Sequence, residues 1–239
     1  MPQLEEFIVT RPPTALRPLL GLTVLIVEDS RFACEAVRMM CMKSGARIRR
    51  ADSLTSAMKH LTIYLPSVVI VDIGLPDGSG LDLIRQLAGA RPRIEVIFGS
   101  SGDPSLEQAA LDAGADAFLT KPSPTLADFQ TAILSLLPSE RQPPGPRSLD
   151  TQAIRPDRLA YRDDLSHAEQ VLDAEAPTPG ELCYISRFLE GVARSAADGK
   201  MASAARDLSA ALDQDGSLDG PLETLTSLVK TRLQANALI

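Results

Sequence analysis

From Thr23 onward, strand-like runs alternate with segments of helical period, and this alternation limits the fold more than any other feature of the chain. The predicted strands are residues 23–27, 47–51, 67–71, 95–99 and 117–120. The predicted helices between and after them are residues 31–44, 53–65, 79–90, 105–112 and 125–137. Such alternation is typical of a parallel sheet with helices on both faces. Residues 22–137 therefore predict an α/β unit with a doubly wound, five-stranded parallel sheet.

The rest of the chain predicts a different architecture. Residues 138–157 are rich in Pro, Ser and charge, which is typical of an interdomain linker. In residues 158–239 apolar residues recur at helical spacing and no strand pattern is evident, so this part predicts a second, all-α helical bundle domain. Residues 1–21 are interpreted as an N-terminal extension.

Composition excludes several classes of protein. The net charge of -7 and the pI of about 4.9 argue against non-specific attraction to nucleic acid. The three cysteines have no metal-binding or paired spacing, which fits a reducing compartment. No run of about 18 apolar residues predicts a membrane span. We therefore expect a cytoplasmic protein without a membrane partner.

Chemically active side chains follow the predicted strands. Glu28 and Asp29 come after the first strand, Asp72 after the third, Ser100 after the fourth and Lys121 after the fifth. The carboxyl ends of parallel strands meet in one crevice, where such folds place ligands. We therefore expect three carboxylates, a hydroxyl and an ammonium group to converge there.

Three crowded carboxylates repel one another unless a cation lies among them. A hard divalent ion prefers oxygen ligands and can neutralise charge while a phosphoryl group is transferred, and Mg²⁺ is the ion we expect here. Asp72 ends an apolar strand and precedes a tight loop rich in Gly and Pro, a position that exposes its carboxylate as a nucleophile. A capping or turn role for Asp72, and N-capping by the acidic pair, are the simpler alternatives.

Four motifs, "VEDS", "VDIGLPDGSG", "VIFGSSGD" and "GADAFLTKP", occur in order across residues 22–137. In this order they resemble the receiver domain of bacterial two-component response regulators, a flavodoxin-like fold. The resemblance implies the following roles: Asp72 as the phospho-acceptor; Glu28, Asp29, Asp72 and the backbone carbonyl of Gly74 as Mg²⁺ ligands; Ser100 and Lys121 as catalytic groups; Ser100 and Phe118 as switch residues; and Pro122 as a cis-proline.

The resemblance also implies partners and an output. A histidine kinase or histidine phosphotransfer protein would phosphorylate Asp72, and the change would pass to a downstream protein partner or to a homodimer. We expect a signalling protein rather than an independent enzyme. Two alternatives stay open: a DNA-binding transcriptional regulator with an atypical helical output domain, and a pseudo-receiver scaffold that is not phosphorylated.

The C-terminal part favours protein contacts over DNA contacts. From Ser139 onward it has 11 Lys and Arg against 16 Asp and Glu, a net charge of -5, and it lacks a helix-turn-helix pattern. Its sequence weakly resembles histidine phosphotransfer domains, but the frame reads Arg187 to Gly191 (RFLEG) and has no phosphorylatable histidine. An ordinary amphipathic helix pair is the favoured interpretation.

Overall fold

A five-stranded parallel sheet forms the first half of the computed structural model, which describes residues 12–122, 125–145, 156–214 and 216–235. The strands are β1 Thr23–Val27, β2 Arg47–Ala51, β3 Val68–Asp72, β4 Gly74–Leu75, β5 Gly78–Ser79, β6 Val96–Ser101 and β7 Ala117–Thr120. The strand order in the sheet is β2-β1-β3-β6-β7, and β4 and β5 form a short separate hairpin. The helices are α1 Arg31–Ser44, α2 Leu54–Ile63, α3 Gly80–Gly89, α4 Glu107–Asp112 and α5 Leu126–Leu136.

The predicted fold class is confirmed, with small shifts at the carboxyl ends of two strands. β3 includes Asp72 because Asp72 and Ser100 are register partners, and β6 continues to Ser101 because Ser101 pairs with Thr120 of β7. α4 begins at Glu107 rather than Ser105, because a short 3-10 helix, Pro104–Leu106, precedes it. These shifts place Asp72 inside the sheet instead of after it.

The sheet carries one apolar core on each face. All five residues of β3 are buried, as a central strand with helices on both sides requires. One core packs α1 and α5 against the sheet around Phe98 and Phe129, and the other packs α2, α3 and α4 around Ile84 and Ile97. The central strand, and with it Asp72, is therefore held from both sides.

Local signals set the ends of α1, the helix that follows the first acidic pair. The Ser30 side chain accepts a hydrogen bond from the Ala33 N–H at 3.0 Å, which is a standard N-cap. At the other end Gly45 has a φ of 84° and donates its N–H to the carbonyls of Cys41 and Met42. Glycine adopts this left-handed conformation without steric cost, so the helix stops here as predicted.

In the described part of the chain, four α-helices follow α5, in agreement with the predicted helical architecture of the C-terminal part. They are α6 Arg158–Leu172, α7 Pro179–Ser195, α8 Gly199–Asp213 and α9 Asp219–Ala235, and we call them the helical bundle. Their apolar residues pack into one buried cluster. Among the described residues, no helix combines the length and hydropathy that a membrane crossing requires. Residues 1–11 of the predicted extension and 146–155 of the predicted linker lie outside the described residues.

The bundle packs on the sheet at α1, where α6 and α7 contact that helix. Phe32 of α1 is only 6% exposed and belongs to the apolar cluster of the bundle rather than to the core of its own sheet. Its ring lies edge-on to Tyr161 of α6, with 5.7 Å between the centroids. The bundle therefore lies next to the carboxyl end of β1, where the acidic pair is found.

Candidate acidic metal site

Three carboxylates converge at the carboxyl edge of the sheet, as the sequence predicts for parallel strands. Glu28 and Asp29 follow β1, and Asp72 is the last residue of the neighbouring strand β3. One carboxylate oxygen from each lies within 4.8 Å of the other two. Glu28 is 3% exposed and Asp72 is 8% exposed, so water screens their charges poorly. We call these three residues the acidic site.

Lys121 follows β7 and reaches back into the acidic site. Its ammonium nitrogen lies 2.6 Å from Glu28 Oε2 and 3.1 Å from Asp72 Oδ1. The Lys121–Pro122 peptide bond is cis, which confirms the prediction for Pro122. Lys121 thus bridges two carboxylates that come from different strands.

Burial and mutual repulsion make the acidic site easier to protonate than ordinary carboxylates. Burial raises the pKa of Glu28 to about 7 and that of Asp72 to about 7, although Lys121 opposes both shifts. Burial, followed by the charge of Asp72, raises the pKa of Asp29 to about 6. Burial by itself lowers the pKa of Lys121, but the adjacent carboxylates outweigh it and raise that pKa above its usual range.

The donor set fits a hard divalent cation such as Mg²⁺. Three carboxylates with oxygens in mutual reach are the ligands such ions prefer, and one ammonium group cannot neutralise three negative charges. Gly74, in β4, donates its backbone N–H to Asp72, so the loop that carries the predicted carbonyl ligand lies directly beside the site. Glu28, Asp29 and Asp72 are therefore the side chains that would hold the ion, and the Gly74 carbonyl stays a predicted ligand.

Ser100 and Phe118 occupy different places relative to the acidic site. Ser100 is the register partner of Asp72, and its hydroxyl donates to the Leu119 carbonyl at 3.0 Å instead of to a carboxylate. Phe118 is half-buried and packs in the core of the α3 and α4 side, beside Gly99. Ser100 thus lies at the edge of the acidic site, whereas Phe118 lies in the core on the α3 and α4 side of the sheet.

Side chains of the helical bundle also reach this region, and no sequence motif indicated them. The Tyr184 hydroxyl on α7 donates to Asp29 Oδ2 at 2.6 Å. Arg194, also on α7, donates to the Gly102 carbonyl at 2.7 Å, in the loop after β6. Asp164 on α6 accepts three hydrogen bonds from residues 30 to 32. The acidic site therefore lies under the bundle.

Removing the ammonium group should destabilise the fold. We expect Lys121→Met to lower the free energy of unfolding by about 3 kcal/mol in Mg²⁺-free buffer, because two buried carboxylates lose their paired cation. Saturating Mg²⁺ should recover part of this loss, since an ion that binds only the folded state stabilises it. Urea unfolding with and without Mg²⁺ measures both effects. Lys59→Met, at an exposed position on α2, is the control; equal stability of the two variants would contradict the prediction.

Comparison with solved structures finds partial similarity to response regulators. A putative response regulator from Chloroflexus aurantiacus is 26% identical, with a TM-score of 0.46 over 48% of this chain and 96% of that one. The chemotaxis response regulator CheY4 of Vibrio cholerae is 19% identical, with a TM-score of 0.45 over 48% of this chain and 98% of that one.

Comparison of sequences finds partial matches to transcriptional regulatory proteins and to one protein family. The KDP operon transcriptional regulatory protein KdpE of Escherichia coli is 35% identical over 99 residues, which are 41% of this chain and 44% of KdpE. The virulence transcriptional regulatory protein PhoP of Salmonella typhimurium is 32% identical over 100 residues, 41% of this chain and 45% of PhoP. Each match thus spans less than half of the relative. The model of the response regulator receiver domain matches residues 24–133. Residues 24–133, a little less than half of the chain, are therefore similar to the response regulator receiver domain family.

Proposed function

We propose that this chain is a phosphorylation-dependent signalling protein in which Asp72 accepts a phosphoryl group from a histidine kinase or a histidine phosphotransfer protein. The observation that carries the proposal is the position of Asp72 at the end of a buried central strand, in reach of two further carboxylates and of Lys121. A capping role for Asp72 would not require two further carboxylates and an ammonium group beside it. The receiver contributes groups to its own phosphorylation and is not an independent enzyme.

The chemistry assigns a task to each group of the site. An oxygen of Asp72 attacks phosphorus, the bond from phosphorus to the donor's histidine nitrogen breaks, and the electron pair stays on that nitrogen, which takes up a proton. Glu28, Asp29, Asp72 and the Gly74 carbonyl would hold Mg²⁺, which would supply positive charge opposite the phosphoryl oxygens. Lys121 already contacts Asp72 and can form an ion pair with the new phosphoryl group.

The signal would leave the site along β6 and β7. Ser100 is the register partner of Asp72, and its hydroxyl can turn from the Leu119 carbonyl toward a phosphoryl oxygen. Phe118 packs beside Gly99 on the neighbouring strand, so a shift of Ser100 would repack that ring. The surface formed by α4 and α5 would then change its contacts with a downstream protein or with a second copy of the chain.

A second candidate is a DNA-binding transcriptional regulator, because KdpE and PhoP are both named as transcriptional regulatory proteins. The acidic composition from Ser139 onward opposes it. Binding of the full chain to duplex DNA with an affinity that falls steeply as salt is raised would support this candidate. Without such binding, the bundle is better explained as a protein-contact or dimerisation module.

Intact mass spectrometry and sizing chromatography test the proposed function. With Mg²⁺ and a small phosphodonor such as acetyl phosphate, we expect the full chain to gain the mass of one phosphoryl group and to change its elution volume. The mass gain should disappear when EDTA removes the divalent ion. A chain that keeps its mass under all these conditions would be a pseudo-receiver scaffold, and the proposal would be wrong.

A further inference from the structure

Asp164 of α6 caps the first turn of α1 from outside the sheet. Its Oδ1 accepts the Arg31 N–H at 2.8 Å, and its Oδ2 accepts the Phe32 N–H at 3.0 Å and the Ser30 hydroxyl at 2.8 Å. The first N–H groups of a helix have no acceptor within the helix, and negative charge is favourable at this end. α1 has no acidic residue in its own first turn, so the bundle supplies that charge.

Burial shows that this contact belongs to a closed interface. Asp164 is only 2% exposed, and burying a carboxylate is costly unless hydrogen bonds compensate for the lost water. The neighbouring Phe32 inserts its side chain into the apolar cluster of the bundle. The hydrogen bonds of Asp164 to the start of α1 and the insertion of Phe32 into the bundle thus hold the bundle in one orientation.

In this orientation Tyr184 reaches the acidic site. Its hydroxyl donates to Asp29 Oδ2, while Asp29 Oδ1 accepts the Ser30 N–H at 2.9 Å, so both oxygens of this carboxylate already hold hydrogen bonds. The positive end of the O–H dipole points at the carboxylate. A cation bound to Asp29 would meet that positive end, and the hydrogen bond would weaken or break.

We propose that the face of α6 and α7 that carries Asp164 and Tyr184 is a docking surface for the chain's own acidic site in its metal-free form, and that this docking and Mg²⁺ compete. The inference rests on the acidic site that the proposed function assigns to Mg²⁺, but not on phosphorylation. Because coupling between two binding events is reciprocal, docking lowers the affinity for Mg²⁺ and Mg²⁺ weakens docking to the same extent. Loading the site would then free the α6 and α7 face.

Calorimetric titration of the full chain with Mg²⁺ tests the competition. Tyr184→Phe removes only the hydroxyl, and we expect it to bind Mg²⁺ about tenfold more tightly than the unchanged chain, the scale of one hydrogen bond to a charged group. Tyr161→Phe is the matched control, because that hydroxyl donates to Asp198 within the bundle. We expect the control to bind Mg²⁺ as the unchanged chain does.

Asp164→Asn separates docking from a local effect of Tyr184 on Asp29. Asparagine keeps the shape but has one acceptor oxygen, so it cannot accept all three hydrogen bonds from residues 30 to 32. Asp164 bonds residues 30 to 32 instead of a carboxylate of the acidic site, yet we expect its substitution to tighten Mg²⁺ binding as Tyr184→Phe does. If only the tyrosine variant gains affinity, the effect is local and docking does not compete with the ion. Circular dichroism establishes beforehand that both variants are folded.

Hydrogen exchange at the amides of Arg31 and Phe32, followed by NMR, reports docking directly. These amides lie in the first helical turn and donate to Asp164, so their protection should fall when the bundle leaves. We expect Mg²⁺ to accelerate their exchange in the unchanged chain at least several-fold, and exchange unaffected by Mg²⁺ would overturn the inference. If the chain is phosphorylated on Asp72 but fails these tests, only the docking inference is wrong. If no variant binds Mg²⁺, both the docking inference and the proposed function are wrong.

Discussion

Replacing Asp72 with asparagine is expected to abolish the mass gain of one phosphoryl group completely. The amide is nearly the same size as the carboxylate but is not a nucleophile toward phosphorus, so no acyl phosphate can form. Intact mass after incubation with Mg²⁺ and acetyl phosphate measures the effect.

The fold should tolerate this change, so loss of phosphorylation would not reflect unfolding. Asp72→Asn removes one of three crowded negative charges, and Glu28 still pairs with Lys121 at 2.6 Å. Asp82→Asn is the control: it lies in α3, shortly after the same loop, and its side chain is 71% exposed. We expect the control to gain one phosphoryl group. A mass gain that persists in Asp72→Asn would place the phospho-acceptor elsewhere.

The sequence predicts the acidic site well, because its geometry follows from the order of the strands. Parallel strands bring their carboxyl ends to one edge, so residues as distant in sequence as Glu28, Asp72 and Lys121 could be expected to meet there. Their pairing distances and the extension of β3 through Asp72 could not be predicted. They depend on the register between β3 and β6, which the apolar pattern does not specify to one residue.

The cover over the site could not be predicted from the sequence. Tyr184 is 155 residues from Asp29, and Asp164 is 134 residues from Ser30. Each lies on an amphipathic helix whose pattern predicts the helix but not which surface it meets. The Ser30 side chain caps α1 locally, and Asp164 of the bundle adds a second cap. A hint in the sequence is Phe32, an aromatic residue three positions after Asp29; in the structure it packs in the apolar cluster of the bundle.

Gly80→Ala should cause the largest loss of stability among the glycine substitutions near the acidic site. A Cβ at this position would lie 2.0 Å from the carbonyl oxygen of Asp72 and 2.8 Å from its carbonyl carbon. Both atoms are backbone at the end of a buried strand, so no side-chain rotation can relieve the overlap. We expect the free energy of unfolding to fall by at least about 3 kcal/mol, at the upper end of the usual cost of overpacking.

The close contact at Gly80 also links the position of α3 to Mg²⁺ binding at the acidic site. The Gly80 N–H donates to the Ile73 carbonyl at 3.0 Å, so the start of α3 is bound closely to the strand that carries Asp72. Moving α3 away would shift Asp72, and we expect weaker Mg²⁺ binding together with the lower stability. Gly89→Ala, at the other end of α3 with no atom within 4 Å of the added carbon, is the matched control and should be neutral or slightly stabilising. Urea unfolding and Mg²⁺ titration of both variants provide the comparison. Equal stability and equal Mg²⁺ affinity of Gly80→Ala and Gly89→Ala would contradict the prediction, because close packing of α3 would then not position the Asp72 carboxylate.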